Sequence, residues 1–123
     1  MQLLIVEDEL PILQTISLKL KKEGFETVGC TTGLDALKQL ETFTPDLIIT
    51  DILMPYISGL ELISAIKQQE HLKHVPIIVL STLGQEESVE QAFTLGADDY
   101  IKKPVSLAEL VLRIKRITRS IVK

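Results

Sequence analysis

The sequence predicts an α/β fold in which five strands and five helices alternate, a (βα)5 doubly wound five-stranded parallel sheet. Short apolar runs rich in β-branched residues alternate with longer amphipathic segments along the chain. The strongest runs are apolar at every position, which is typical of parallel strands covered by helices on both faces. With 123 residues and 46% hydrophobic content, the chain can also build one core without a disulfide or a structural metal.

The strand predictions come from these apolar runs. Residues 3–6, 47–50 and 77–80 are the strongest candidates, and residues 27–30 and 100–102 are weaker ones. We find no linker, repeat or low-complexity segment between them that would divide the chain. The sequence therefore predicts a single domain over residues 1–123.

The helix predictions rest on spacing and on end signals. Apolar residues recur at helical spacing before a glycine that can end the first helix, namely Ile12, Leu13, Ile16, Leu20 and then Gly24. Three later starts have the spacing of a capping box: Thr32 with Asp35, Ser58 with Glu61, and Ser106 with Glu109. Gly96 can end a helix that runs through Val89, Ala92 and Phe93, and the last helix is predicted to end near Val122.

Composition excludes several classes of protein. The net charge of -4 argues against direct nucleic-acid binding, for which a basic surface is expected. The single cysteine, Cys30, excludes an intramolecular disulfide framework, and no apolar run is long enough to span a membrane. The apolar start is too short for a signal peptide, so we expect a cytoplasmic protein. The basic residues near the carboxyl end are predicted to be the solvated face of a helix, and they are Arg113, Lys115, Arg116, Arg119 and Lys123.

Polar residues follow four of the predicted strands. They are Glu7-Asp8-Glu9 after the first, Asp51 after the third, Ser81-Thr82 after the fourth and Lys102-Lys103-Pro104 after the fifth. Ligands of open α/β sheets bind beyond the carboxyl ends of the strands. The sequence therefore predicts a functional site that gathers these side chains at one edge of the sheet.

The chemistry of this cluster favours a hard cation and a phosphate. Neighbouring carboxylates repel one another unless a cation lies among them, and oxygen ligands without His or Cys suit Mg²⁺ better than Zn²⁺. A carboxylate such as Asp51 can then act as a nucleophile toward phosphorus. A lysine and a hydroxyl can stabilise the charge on the phosphoryl oxygens.

These residues resemble the receiver domain of two-component response regulators, a family with a flavodoxin-like fold. The resemblance covers the whole chain and depends on an ordered set of motifs. The set comprises the acidic pair Glu7-Asp8, Asp51 with Met54-Pro55 and Gly59, Ser81 after an apolar run that begins at Pro76, and the block 96–104 that ends in Lys103-Pro104. The sequence departs from the family pattern at Thr82, where a small residue is usual, and at Val105, where an aromatic one is common.

The resemblance implies a role for each site residue. Asp51 would be the phosphoacceptor, and the metal ligands of Mg²⁺ (or Mn²⁺) would be Glu7, Asp8, Asp51 and the backbone carbonyl of Leu53. Ser81 would bond a phosphoryl oxygen, and Lys103 would pair with the phosphate. The Lys103-Pro104 bond would be cis, and Tyr100 would be the aromatic residue that moves inward with Ser81 when the domain switches.

The resemblance also implies partners. A sensor histidine kinase or a phosphotransfer protein would donate the phosphoryl group, and a downstream output domain or target protein would read the switch. No output domain is expected within these residues, and the chain would be no enzyme beyond promoting its own phosphorylation and dephosphorylation. The fourth helix is acidic and the fifth basic, so a homodimer through the fourth helix, fifth strand and fifth helix is a hypothesis.

Three other interpretations are weaker. A phosphatase of the haloacid dehalogenase type needs a second Asp two residues after the nucleophile, where this chain has Leu53. A degenerate receiver that serves only as a scaffold would not be expected to keep Glu7, Asp8, Asp51, Ser81 and Lys103. A flavin-binding fold needs a phosphate-binding loop after the first strand, where three carboxylates would repel phosphate.

Overall fold

Five parallel strands form one sheet, with helices between them along the chain. The computed structural model describes residues 1–119. The strands are β1 (Gln2–Val6), β2 (Glu26–Cys30), β3 (Leu47–Asp51), β4 (Ile77–Ser81) and β5 (Asp99–Lys102). The helices are α1 (Leu10–Lys22), α2 (Gly33–Gln39), α3 (Gly59–Lys67), α4 (Glu86–Leu95) and α5 (Leu107–Arg119). The predicted (βα)5 parallel fold is confirmed, while the predicted end of the last helix near Val122 lies outside the described residues.

The strand order in the sheet is β2-β1-β3-β4-β5. The chain therefore leaves β2 at one edge of the sheet, passes over β1 and adds β3 on the far side of it. The register places Val6 of β1 beside Thr50 of β3, so the two strands end at the same level. This reversal of direction leaves a crevice beyond the ends of β1 and β3, where open α/β sheets bind ligands.

Both faces of the sheet are covered, as the fully apolar strands predict. One face packs Leu3, Ile5, Leu47, Ile49, Ile78 and Leu80 against α1 and α5, through residues such as Ile16 and Ile114. The other packs Leu4, Val6, Ile48, Ile77 and Val79 against α2, α3 and α4, through residues such as Leu40, Ile66 and Ala92. Alternate residues of each central strand thus enter different cores, and the strand backbone between the two cores is held rigidly.

The helix ends follow the local signals in the sequence. The Ser58 hydroxyl accepts the backbone N–H of Glu61 while the Glu61 carboxylate accepts that of Ser58, which completes a capping box at the start of α3. Thr32 accepts from Asp35 and Ser106 accepts from Glu109 at the other two predicted starts. Gly96 ends α4 in the left-handed conformation, with φ of 118°.

Among residues 1–119, none of the helices combines the length and the apolar character that a membrane crossing requires.

Candidate functional site

Asp51 is the last residue of β3 and lies almost completely buried at the edge of the sheet. Only 3% of its surface is exposed, and Ile49 and Thr50 before it are fully buried. Glu7, the first residue after β1, is fully buried beside it. The strand order alone makes them neighbours, because β1 pairs directly with β3.

Lys103 connects these two carboxylates. Its Nζ lies 2.6 Å from Asp51 Oδ1 and 2.7 Å from Glu7 Oε1, with only 17% of the lysine side chain exposed. The backbone N–H of Lys103 donates to the carbonyl of Ser81 at 2.6 Å, which fixes the end of β5 against β4. The following peptide bond, Lys103–Pro104, is cis.

Burial and the second carboxylate make Asp51 hard to ionise. Burial raises the pKa of Asp51, and the adjacent Glu7 raises it further, so that it reaches about 8 although Lys103 acts in the opposite direction. Burial also raises the pKa of Glu7, but the hydrogen bonds from Asp51, Lys103 and the backbone N–H of Glu9 outweigh it and hold that pKa below its usual value. Asp51 therefore binds a proton more readily than an isolated aspartate does, and Glu7 is the carboxylate of the pair that favours the charged form.

The two carboxylates favour the charged form of Lys103. Desolvation alone would lower the pKa of Lys103, but the hydrogen bonds and charges of Asp51 and Glu7 raise it above its ordinary value. Lys103 is thus a permanent cation at the centre of the site.

A third carboxylate completes a group that could hold a metal ion. One oxygen each of Glu7, Asp8 and Asp51 lie within 4.8 Å of one another. Glu7 Oε1 is buried, and apart from the Lys103 ammonium 2.7 Å away it has no hydrogen-bond partner among the described residues. Such a set of oxygen donors fits Mg²⁺ or Mn²⁺, which prefer carboxylate, carbonyl and water ligands. Asp8 and Asp51 of this group open onto the acidic pocket, which is lined by Asp8, Glu9, Asp51, Leu53, Leu80, Thr82, Gln85 and Lys103, while Glu7 lies buried behind them.

Ser81 and Tyr100 lie together but border a different cavity. This cavity of about 280 Å³ is lined by Ser81, Thr82, Glu86, Val89, Glu90, Phe93, Tyr100 and Lys102. Tyr100 is half-buried, and its ring meets that of Phe93 edge to face with the centroids 6.0 Å apart. Thr82 borders both spaces, so the β4–α4 loop is the wall between the acidic pocket and this cavity.

The structure places two further polar residues outside the acidic pocket and adds one residue that the sequence analysis did not name. Lys102 is exposed and lines the cavity beside Ser81 and Tyr100 rather than the acidic pocket. Nε2 of His71 lies within hydrogen-bond distance of the Leu40 carbonyl oxygen, 3.0 Å away, and His71 belongs to no potential metal-binding group found in residues 1–119. Gln85, on the wall of the acidic pocket, was missed because a glutamine in a predicted loop carries no signal of its own.

The model of one protein family matches most of the chain. Residues 3–115 match the response regulator receiver domain. That range includes every element from β1 to the middle of α5, together with all the carboxylates and the lysine of the acidic pocket. The chain belongs to the response regulator receiver domain family.

Curated relatives of this receiver domain include transcriptional regulators. The chain is 39% identical over 98% of its length to the phosphate regulon transcriptional regulatory protein PhoB of Klebsiella pneumoniae. It spans about half the length of that relative, 52%.

Solved receiver structures have the same fold. The signal receiver domain of a signal transduction histidine kinase from Syntrophus aciditrophicus is similar with a TM-score of 0.91 and 33% identity, over 99% of this chain and 92% of that one. The receiver domain of the sensor histidine kinase PA1611 from Pseudomonas aeruginosa is similar with a TM-score of 0.85 and 29% identity, over 94% of each chain. The PA1611 structure has a magnesium ion coordinated in its active-site cleft.

Membership establishes the general role of the domain. A receiver domain is a signalling switch of two-component systems that is phosphorylated on an aspartate. The family binds Mg²⁺ at an acidic pocket, and this receiver domain has such a cluster in Glu7, Asp8 and Asp51.

Proposed function

We propose that Asp51 is the phosphoacceptor of this receiver domain and that Lys103 and the acidic pair Glu7-Asp8 serve its reaction. One observation carries the proposal: the Lys103 ammonium contacts the Asp51 carboxylate at 2.6 Å at the end of a buried strand, inside the only group of three carboxylates found in residues 1–119. No other aspartate in the described residues combines burial, a lysine contact and two neighbouring acids.

The reaction is a phosphoryl transfer to a carboxylate. An Asp51 oxygen forms a bond to phosphorus while the phosphorus–nitrogen bond of a phosphohistidine donor breaks, and the donor imidazole leaves with the electron pair of that bond. The phosphohistidine would belong to a sensor histidine kinase or a phosphotransfer protein. Lys103 offsets the charge that spreads over the phosphoryl oxygens, which is the main electrostatic requirement of such a transfer.

Glu7, Asp8, Asp51 and the backbone carbonyl of Leu53 would hold Mg²⁺ (or Mn²⁺). The bound cation would neutralise the carboxylates and the incoming phosphate. Leu53 lines the same pocket as Asp8 and Asp51. With a cation bound among them, Asp51 and its neighbours would favour their charged forms.

We further propose that Ser81 and Tyr100 transmit the change. Phosphorylation would draw Ser81 toward the acidic pocket, and the Tyr100 ring would move into the space that borders both residues. The edge-to-face contact with Phe93 would then change, and with it the surface formed by α4, β5 and α5. The switch is a shift in population between two packings.

The reader of this surface would be a downstream output domain or a target protein. The relatives that are named transcriptional regulatory proteins support an output that controls transcription. Nucleic-acid binding would then belong to that output and not to this domain, whose net charge is -4. The domain itself would act on no substrate other than its own phosphoryl group, which it gains and loses.

Intact mass spectrometry tests the phosphoacceptor. The protein is incubated with acetyl phosphate, with and without Mg²⁺, alongside Asp51→Asn. We expect a Mg²⁺-dependent gain of one phosphoryl group in the wild type and none in the variant, because the amide is no nucleophile toward phosphorus.

Asp46→Asn is the matched control. Asp46 is exposed and accepts a hydrogen bond from the Gln2 backbone, which an asparagine oxygen can still accept. This variant is expected to gain the phosphoryl group as the wild type does. A phosphoryl group that persists in Asp51→Asn, or fails to appear in the wild type, contradicts the proposal.

A further inference from the structure

The loop between β4 and α4 is closed by two hydrogen bonds between the same two residues. The backbone N–H of Thr82 donates to the side-chain oxygen Oε1 of Gln85 at 2.7 Å. In return the backbone N–H of Gln85 donates to the carbonyl of Thr82 at 3.3 Å. Gly84 completes the turn with φ of 91°, a value that glycine adopts without strain. The Gln85 side chain is therefore held in one orientation by the backbone of its own loop.

This pair of hydrogen bonds between Thr82 and Gln85 lies on the wall of the acidic pocket. Thr82 and Gln85 line the pocket together with Asp51, Asp8 and Lys103. The backbone N–H of Thr82 is a donor, so it pairs with the oxygen of the Gln85 side-chain amide. In the unphosphorylated protein this N–H therefore already has an acceptor. A phosphoryl group on Asp51 would bring anionic oxygens into a pocket where three of the eight lining residues are carboxylates and Lys103 is the one cationic donor, so each backbone N–H on its wall is a valuable partner.

We propose that Gln85 is a positioning residue that competes with the phosphoryl group for the backbone N–H of Thr82. The inference rests on the proposed function of Asp51. In the unphosphorylated state the Gln85 side-chain oxygen accepts the hydrogen bond from the Thr82 backbone N–H. After phosphorylation a phosphoryl oxygen accepts that hydrogen bond instead, and the Gln85 side chain is released. An anionic oxygen accepts a stronger hydrogen bond than a neutral amide oxygen, so the exchange favours the phosphorylated arrangement.

The released residue is also the one at which α4 begins. Gln85 is the N-cap of α4, and its carbonyl accepts the N–H of Val89 at 2.9 Å. The same loop therefore connects the phosphorylated aspartate to the helix that forms one part of the switch surface. Release of the side chain would loosen the turn between residues 82 and 85 and leave the first helical hydrogen bond intact.

Phosphorylation of two variants tests the competition. Wild type, Gln85→Ala and Gln85→Glu are incubated with acetyl phosphate and Mg²⁺, and the fraction phosphorylated is followed by intact mass. The alanine removes the competing acceptor, so the acetyl phosphate concentration for half-phosphorylation is expected to fall about three- to tenfold, the range that one hydrogen bond spans. The glutamate keeps an acceptor and adds a like charge, so that concentration is expected to rise.

NMR of the Thr82 amide distinguishes competition between Gln85 and the phosphoryl group from a purely structural role of Gln85. The Thr82 amide is followed by ¹H–¹⁵N NMR and by its exchange with solvent. In unphosphorylated Gln85→Ala this amide is expected to lose protection, and phosphorylation is expected to restore it. Mg²⁺ affinity of Gln85→Ala, measured without acetyl phosphate, is expected to stay within about twofold of wild type, since Gln85 is no metal ligand.

Gln91→Ala is the matched control, because Gln91 is an exposed glutamine on the same helix. It is expected to behave as wild type in all three measurements. The inference is overturned if both Gln85 variants shift phosphorylation in the same direction, or if the Thr82 amide keeps its protection in Gln85→Ala. If wild type itself gains no phosphoryl group, the proposed function fails and this inference with it; if wild type gains it and the variants do not differ, this inference alone fails.

Discussion

At the scale of single residues, the charged form of the buried Asp51 carboxylate opposes folding. Asp51 is a carboxylate at the end of a strand that is otherwise apolar, and burial together with Glu7 raises its pKa to about 8. A group whose pKa is higher in the folded state binds protons that the unfolded chain has lost. In metal-free protein the Asp51 contribution is therefore favourable to folding at low pH, and stability falls as the pH rises from its ordinary pKa of 3.8 toward 8.

Asp51→Asn is expected to stabilise the metal-free protein. The amide needs no proton and removes the repulsion with Glu7, while Lys103 keeps one carboxylate partner at 2.7 Å. At pH 8 in a chelator, we expect the free energy of unfolding to rise by about 1–3 kcal/mol relative to wild type, and the difference to shrink toward pH 5. Urea unfolding at several pH values measures both effects.

The exposed Asp46→Asn variant is again the control, and the pH dependence of its free energy of unfolding is expected to match that of wild type. Mg²⁺ at pH 8 is expected to stabilise wild type and to narrow its difference from Asp51→Asn, because a ligand that binds only the folded state stabilises it. Equal stability of wild type and Asp51→Asn at every pH would mean that Lys103 fully compensates the Asp51 charge.

At the scale of elements, the β3–α3 loop holds Asp51 by a close approach of two backbones. The N–H of Gly59 donates to the carbonyl of Ile52 at 2.9 Å. A Cβ added at Gly59 would collide with the backbone carbonyl oxygen of Asp51. Glycine is therefore required here for space, since only a residue without a side chain lets α3 start directly behind Asp51.

Gly59→Ala is expected to destabilise the domain by about 2–4 kcal/mol, because neither of the two colliding backbone segments can move without disturbing the core. The shift would also displace Asp51, so the rate of phosphorylation by acetyl phosphate is expected to fall. Urea unfolding and intact mass spectrometry provide the two measurements.

Gly24→Ala separates the collision from the general effect of removing a glycine. Gly24 has φ of 95° but open space around it, so only the cost of the backbone conformation remains, about 1 kcal/mol. This variant is expected to phosphorylate at the wild-type rate. A Gly59→Ala protein as stable as Gly24→Ala would show that the loop relaxes freely.

At the scale of the whole molecule, charge is distributed unevenly over the surface formed by α4, β5 and α5. The acidic residues Glu86, Glu87 and Glu90 of α4 are exposed and form no ion pair within residues 1–119. The basic residues of α5 are partly used inside the chain: Arg113 and Arg116 both bind Asp99, at 2.6 and 3.1 Å. The side chain of Arg116 nevertheless stays 70% exposed, so it can also contact a second molecule.

This distribution leads us to expect a phosphorylation-dependent homodimer through α4, β5 and α5, in which acidic α4 faces basic α5 across a twofold axis. Sedimentation velocity over a range of concentrations, with and without acetyl phosphate and Mg²⁺, measures it. We expect a dimer only in the phosphorylated sample, and its loss in Glu87→Lys.

Glu41→Lys makes the same change of charge at an exposed position after α2 and is expected to leave the dimer intact. A phosphorylated wild type that remains a monomer at all concentrations contradicts the dimer, and so does equal dimerisation of Glu87→Lys and wild type.

The sequence by itself determined the elements and most of the chemistry. Apolar runs located the three central strands clearly, since a strand covered on both faces is apolar at nearly every position, whereas the edge strands β2 and β5 gave weaker signals because they are partly polar and exposed. Ser58 with Glu61 and Gly96 marked helix ends because capping depends on a few neighbouring residues. Parallel strands end at one edge of a sheet, which predicted that the acids and Lys103 would converge there.

Only the tertiary structure decided which of these residues touch. The strand order β2-β1-β3-β4-β5 places Glu7 beside Asp51, and the end of β5 brings Lys103 to both. The bond from Thr82 to Gln85 and the contacts of Arg113 and Arg116 with Asp99 were equally invisible. Propensity and periodicity are properties of neighbouring residues, whereas strand order and ångström-scale contacts are set by how both cores pack together, and that depends on the entire chain.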